Sequence, residues 1–379
     1  MANFSIHCES NCQFKYILHI RRYIPGNSAR KESMKKIITL ICSLVLLTVS
    51  SYGQEDRIKE LVSDGTRLHD EGRYEDAIAK YRAALEIDKK STLANYEISY
   101  TYLTMGKYDE AIYFSRKVVE LNEDMLEYAY LVLGSAIDLK KRPAEAIAVY
   151  KEGLARFPNN NLLNYNLALT AYNQGDMELA ENSAIQAIHA NPSHGSSHLV
   201  LASIMQDRDQ RVKALLPLYY FLLLEPQADR SLTIYKILRT LLIQGIEQKS
   251  EKEINIEVSY AKGPDSLFMA AETLIGLLGA SSYLDANKDK SDFQLFAETT
   301  KSFFAVLESS RKENKGLWWD LYVNKFSDLI RTNNCEAFSY YISQCSHSEE
   351  VNDWILKNGD KMAKFREWLK RNNFNYMGN

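Results

Sequence analysis

Residues 161–194 read NLLNYNLALTAYNQGDMELAENSAIQAIHANPSH. Two runs with helical apolar spacing flank Gln174-Gly175-Asp176, and the second run stops at Pro192. Gly leaves a helix through the left-handed region at no steric cost, and Pro cannot continue one. The stretch therefore reads as two helices joined by a tight turn. Ala168 in the first run and Ala180 and Ala187 in the second fall where the two helices cross. Small side chains there let the axes approach, because the interaxial distance is set by what occupies the crossing.

The arrangement recurs at a fixed interval. Gly72, Tyr74 and Ala77 return 34 residues later as Gly106, Tyr108 and Ala111. Ala146, Gly153 and Pro158 return as Ala180, Ala187 and Pro192, and Ala214 and Pro226 follow after another 34. Only the step from Ala111 to Ala146 is 35. Five repeats result: 58–91, 92–126, 127–160, 161–194 and 195–228. The eighth residue of each is small (Gly65, Ser99, Gly134, Ala168, Ala202), and the twentieth is Ala throughout (Ala77, Ala111, Ala146, Ala180, Ala214). Pro143 sits just inside a second helix, where its missing N–H does no harm.

These residues resemble the tetratricopeptide-repeat family over 58–228. The resemblance implies an all-α fold, a solenoid of about five helical hairpins, with a C-terminal helical domain following. Lys141 and Asp209 stand where the pattern has the turn Gly. Phe221 replaces a small residue in repeat five, and Ser115 a large one in repeat two. The motif is specific for fold and says little about function.

Upstream, MKKIITLICSLVLLTVSSYGQ runs from Met34 to Gln54. Lys35 and Lys36 precede an apolar stretch of 13 residues, Ile37 to Val49, and small residues at Ser51 and Gly53. This is the layout of a secretory signal peptide over 34–53, cleaved after Gly53. The stretch is short for a membrane span, which takes about 20 residues, so no stable membrane insertion is expected after cleavage. Translation is expected to start at Met34, with residues 1–33 an over-extended start or disordered leader. Thr39-Leu40-Ile41 before Cys42 does not fit a lipidation site. The mature chain is expected to be exported, periplasmic or secreted. Beyond residue 53 it carries 39 basic and 47 acidic residues, a net of −8. That balance offers no footprint for nucleic acid and no basic stripe for anionic lipid.

Residues 229–264 read as a helix and linker, with strand alternation over Ile254–Tyr260. Residues 265–379 read as a C-terminal domain of four or five helices. Breaks fall near Asn287–Lys290, Asn314–Gly316, Asn333–Asn334, Ser346–Ser348 and Asn358–Gly359. Phe303, Phe304, Trp318, Trp319, Phe338, Tyr341, Trp354, Phe365 and Trp368 are its expected core. Cys335 and Cys345 flank a helix too long for a disulfide and are read as separate, half-buried thiols.

No zinc-protease, phosphate-loop, dinucleotide or Gly-x-Ser-x-Gly motif is present, so no catalytic residue, metal or cofactor is assigned. His189, His194 and His198 straddle a turn and are read as polar turn residues rather than metal ligands. Asp285–Asp289 starts like a calcium loop but lacks the Gly and Glu that one needs. The basic run Lys361–Arg371 is read as a solvated helix face.

In a stack of helix pairs the first helices line the inner face. Repeat positions five, nine and twelve place Tyr96, Tyr100, Leu131, Tyr165, Leu169 and Tyr172 there, with Ser135, Asp138 and Asn173 among them. An apolar stripe with polar points suits capture of an extended peptide or a helix, and Tyr is a favoured anchor. Alternatively, the rings pack between neighbouring repeats or against a folded-back C-terminal domain. The basic clamp by which some family members hold acidic peptide tails is absent: its positions are Val62, Thr66, Glu97, Tyr128 and Val132. The expected function is a non-catalytic scaffold in the cell envelope that binds a protein or peptide partner. Two alternatives stand beside it: a subunit of an envelope-assembly machine contacting partners through the C-terminal domain, and an enzyme with its site in 229–379. Intact-mass and N-terminal analysis of protein from the native host should show Gln54 as the first residue; a mature chain retaining residues 1–33 would contradict this reading.

Overall fold

The computed structural model describes residues 28–250, 253–256, 268–281, 287–311 and 314–374. The periodic runs form α1 (Ser28–Asp70), α2 (Tyr74–Ile87), α3 (Thr92–Thr104), α4 (Tyr108–Leu121), α5 (Leu126–Leu139), α6 (Pro143–Arg156), α7 (Asn161–Asn173), α8 (Met177–Ala190), α9 (Gly195–Asp207) and α10 (Arg211–Leu224). Beyond them lie α11 (Ser231–Ile243), β1 (Ile246–Ser250), β2 (Glu253–Ile256), α12 (Met269–Ser281), α13 (Asp292–Ser310), α14 (Asn324–Arg331), α15 (Cys335–Ile342), α16 (Glu349–Lys357) and α17 (Gly359–Arg371). One turn of π-helix, Trp318–Val323, leads into α14.

Helix α1 carries the apolar stretch and the first helix of repeat one without a break. It also takes in Ser28–Ser33, the end of the expected leader; residues 1–27 lie outside the described residues. Among the described residues no helix is long and apolar enough to cross a membrane. The extra residue of the 35-residue step lengthens α5 to 14 residues, where α7 and α9 have 13.

The chain divides into two compact units, 1–101 and 102–379. In the first, α1 packs on α2. Gly65 faces the Tyr81 ring, and a Cβ there would lie 2.4 Å from it. In the second, α4 to α10 pack each on the next. A Cβ on Gly134 would lie 2.2 Å from the Tyr150 ring. In repeat four Ala184 replaces that tyrosine, and the facing eighth residue has grown to Ala168; both are fully buried. The eighth residue is thus sized by the side chain that packs over it. The first helices also touch one another, α5 on α7 and α7 on α9.

The turns obey the same backbone constraint whatever residue fills them. Gly72, Gly106 and Gly175 have φ between 72° and 78°, and Lys141 and Asp209 adopt 60° and 54° at the equivalent positions. A residue with a Cβ meets steric cost there.

Helix α10 reads RVKALLPLYYFLLL and is buried at every residue from Arg211 to Leu223. A helix that is apolar all round must be covered all round. Here α11, α12, α15 and the π-helical turn provide the cover. Tyr219 lies among Phe296, Phe303, Phe304, Phe326 and Phe338, with ring centroids 5.1–6.4 Å away. Its hydroxyl is hydrogen-bonded to Thr300 Oγ1 at 2.9 Å. Glu272 on α12 fastens the start of α10: its carboxylate accepts from Arg211 Nε at 3.0 Å and from the Val212 N–H at 2.7 Å. A carboxylate at a helix N-terminus also meets the positive end of the helix dipole.

One hydrophobic core runs across the bounds expected between the solenoid, the 229–264 linker and the 265–379 domain. Residues from Ala168 to Phe374 share one hydrophobic core. The expected aromatic core is present within it, with Trp318 and Trp354 at its margin. The five expected breaks separate α12, α13, the π-helical turn with α14, α15, α16 and α17, one helix more than the upper expectation. The strand alternation survives as Glu253–Ile256, paired antiparallel with β1 so that Ile246 faces Ile256; residues 257–260 lie outside the described residues. Cys335 and Cys345 are unpaired, as expected, but fully buried rather than half-buried.

Gly134→Ala should cost about 1–3 kcal/mol, because the tyrosine over it has to move. Lys141→Gly should stabilise the protein by about 1 kcal/mol by removing the left-handed strain. Urea unfolding of both variants checks the pair, and opposite signs are required.

Candidate functional site

The structure places the expected groove residues on two helix faces, one in each compact unit. In the first unit Tyr96 and Tyr100 lie on α3. The Tyr100 ring stacks on His69 at 5.2 Å and on Tyr96 at 6.2 Å. His69 Nδ1 is hydrogen-bonded to Thr101 Oγ1 at 2.8 Å.

In the second unit Leu131 lies on α5, and Tyr165, Leu169 and Tyr172 lie on α7, each partly buried, with Asn173 exposed beside the turn. Their inner edges pack between repeats. Tyr165 meets His194 edge-on at 5.0 Å. The Tyr172 hydroxyl donates to Asp207 Oδ2 on α9 at 2.7 Å, and that bond raises its pKa. Below them Thr170 donates to Asp138 Oδ2 at 3.1 Å, tying α7 to α5. Ser135, also expected on the face, is bonded to the Tyr150 hydroxyl at 3.3 Å. One edge of these side chains thus seals the seam between repeats, and the other meets solvent.

Spacing by five, nine and twelve passes over position two. Tyr128 on α5 and Leu162 on α7 occupy it, 43% and 40% exposed, one helical turn before Leu131 and Tyr165. The signal was in the sequence, at i and i+3 on the same face. Val62 and Val132, two of the clamp positions, are buried and belong to the core.

The three histidines do not converge, and among the described residues no group of His, Cys, Asp or Glu is placed to hold a metal. The turn-residue reading fails for His198, which is fully buried on α9. Its Nε2 lies 2.9 Å from the Pro192 carbonyl, which can only accept, so Nε2 carries the hydrogen. Nδ1 then accepts from the Tyr322 hydroxyl at 2.7 Å. The ring stacks on Tyr220 at 4.6 Å. This neutral imidazole joins repeat five to the π-helical turn.

The C-terminal helices hold a cleft of about 420 Å³ lined by Lys290, Glu298, Lys301, Cys335, Glu336 and Tyr340 among others. Its acids are matched, Glu298 by Lys290 at 2.6 Å and Glu336 by Lys361 at 2.7 Å. Burial pushes the Cys335 thiol up to about 12, so it stays protonated and is a poor nucleophile. The calcium-like stretch falls partly outside the described residues; Asn287–Lys290 form a turn there.

Paired helices of 13 or 14 residues, small at the crossing and left-handed at the turn, define the class as a helical-hairpin repeat protein. Residues 163–194 match the tetratricopeptide-repeat model, and residues 70–153 match the model described as anaphase-promoting complex, cyclosome, subunit 3. These matches support tetratricopeptide-type repeats over the matched residues. The chain is 31% identical over 156 residues to DnaJ homolog subfamily C member 3 of Gallus gallus, covering 36% of this chain. The matched part spans about a third (31%) of that relative's length. Among solved structures it is similar to PilF of Pseudomonas aeruginosa, at 19% identity and a TM-score of 0.43, covering 51% of this chain and 91% of that one. It is also similar to PilW, described as a type IV pilus biogenesis factor, at 19% identity and a TM-score of 0.41, covering 62% of this chain and 95% of that one.

Burial, foremost, pushes His198 from its ordinary 6.5 down to about 4. The unfolded chain binds the proton more readily, so the stability from this group is complete above pH 6.5. It drains as pH falls toward 4, by about 3 kcal/mol in all. Urea titrations at pH 7 and pH 4.5 should therefore differ less for His198→Gln than for the native chain. Equal pH dependence in the two would refute the account.

Proposed function

We propose that the protein is a non-catalytic scaffold that captures a partner protein through an extended segment or amphipathic helix laid along the first helices of its repeats. The carrying observation is the row of partly buried apolar side chains on α7, Tyr165, Leu169 and Tyr172, flanked by exposed Tyr128 and Leu162. Side chains whose inner edges are already fixed by packing lose little freedom when a ligand covers the outer edge. Aromatic anchors of this kind carry much of the energy in protein interfaces. The exposed polar points, Asn173 above all, would set register on a bound backbone.

The same reading places capture outside the cytoplasm, in the periplasm or beyond. Its support is the basic start, apolar run and small-residue cleavage pattern of Met34–Gly53. The matched charges around the C-terminal cleft and its protonated thiol favour a binding role over a catalytic one.

A photo-crosslinking residue placed at Tyr128, Leu131 or Leu169 in cells should give discrete adducts. The same residue at Lys151 or Glu178, exposed on second helices, should give none. Tyr165→Ala combined with Leu169→Ala should weaken capture by about tenfold or more while leaving helicity intact. Equal adducts from both sets of positions would refute the inner-face reading.

A further inference from the structure

The first compact unit brings two carboxylates within electrostatic reach of each other. Asp70 closes α1 and Glu97 lies on α3. Other acids nearby are matched: Asp64 by Lys80 at 3.0 Å, Glu71 by Arg67 at 2.7 Å, and Asp76 by Arg73 at 2.7 Å. Among the described residues neither Asp70 nor Glu97 forms an ion pair. Burial, and secondly the charge on Asp70, push the Glu97 carboxyl above its ordinary range.

Two further features converge on the same place. The rings of His69, Tyr100 and Tyr96 form a row with interplanar angles of 20° and 13°, closed at one end by Tyr74 edge-on to His69 at 5.2 Å. Burial lowers the pKa of His69, which disfavours a positive charge in the row. Behind the row, Tyr81 is 0% exposed and its hydroxyl has no hydrogen-bond partner. That hydroxyl lies within electrostatic reach of Glu97 and Asp70. The hydroxyls of Thr66 and Thr101 lie beside it; Thr66 donates to the Val62 carbonyl and Thr101 is bonded to His69. A buried polar atom left unpaired is costly and calls for an explanation.

We propose that this corner receives a cationic side chain, the Arg or Lys of an extended peptide, held between the tyrosine rings and the carboxylates of Asp70 and Glu97. The proposal rests on the capture reading above and adds the chemistry of the residue captured. A guanidinium or ammonium group is attracted to a ring face. Its N–H donors would form charge-assisted hydrogen bonds to both carboxylates. The basic clamp for acidic tails is replaced at Glu97 by the opposite sign, so the face rejects the ligand that such a clamp selects.

The test uses the full chain and an immobilised library of short peptides, randomised except at one position held as Arg, Lys, citrulline or Glu. Arg and Lys peptides should bind about tenfold or more tighter than citrulline or Glu peptides, and the margin should shrink as salt is raised. Glu97→Gln and Asp70→Asn should each bring Arg and citrulline to within about twofold. Glu97→Lys should turn the preference toward Glu, with helicity by circular dichroism unchanged in all three. Citrulline binding as well as Arg in the native chain would overturn the proposal, as would an Arg preference that survives Glu97→Gln combined with Asp70→Asn. Peptides that bind without regard to charge would remove the cation site alone. The crosslinks from α5 and α7 decide the capture reading independently.

Discussion

Two helices can approach only as closely as the bulkiest side chain at their crossing permits, and the repeats depend on that limit. The twentieth residue is Ala in each repeat and is fully buried in all five. The eighth is adjusted to what lies over it, Gly beneath the rings of Tyr81 and Tyr150 and Ala opposite Ala184. Once the hairpins close, α5, α7 and α9 are brought side by side. Their outward residues then lie on neighbouring first helices. The face is a by-product of the crossing, and its chemistry is free to vary.

The repeats were legible because both of their determinants are local. A Gly or Pro acts on its own backbone, and a fixed period reports the crossing without knowledge of distant contacts. The left-handed turns at Lys141 and Asp209 show how strong the period is, since the backbone adopts the shape even where the residue opposes it. The extent of the C-terminal packing was not legible. That Leu215, Leu218 and Phe221 have no polar face can be read from α10, but which helices cover it is decided by contacts more than a hundred residues apart, such as Tyr219 with Phe338. Composition names the aromatic core and cannot say whose core it is.

The site was legible in the same uneven way. Helical spacing put Leu131, Tyr165, Leu169 and Tyr172 on first helices, because position within a repeat fixes the face. It could not show that Tyr172 spends its hydroxyl on Asp207, or that His198 is an internal strut bonded to Tyr322, since those partners come from other elements. Glu97 was visible as a departure from the acidic-tail clamp. Its pairing with Asp70 needed the fold, because an unmatched charge is defined by everything that does not stand next to it.

The enclosure of α10 also bears on how the chain is made. Synthesis proceeds from the N-terminus, and the early repeats find their neighbours within a few dozen residues, so they can pack as they emerge. Helix α10 cannot, because Phe304, Phe326 and Phe338 are translated long after it. During that interval the nascent chain exposes a bare apolar rod, the kind of surface that draws in other unfinished chains. A product ending at Ala228 would keep that rod uncovered permanently, so the repeats cannot be excised there as a free-standing module.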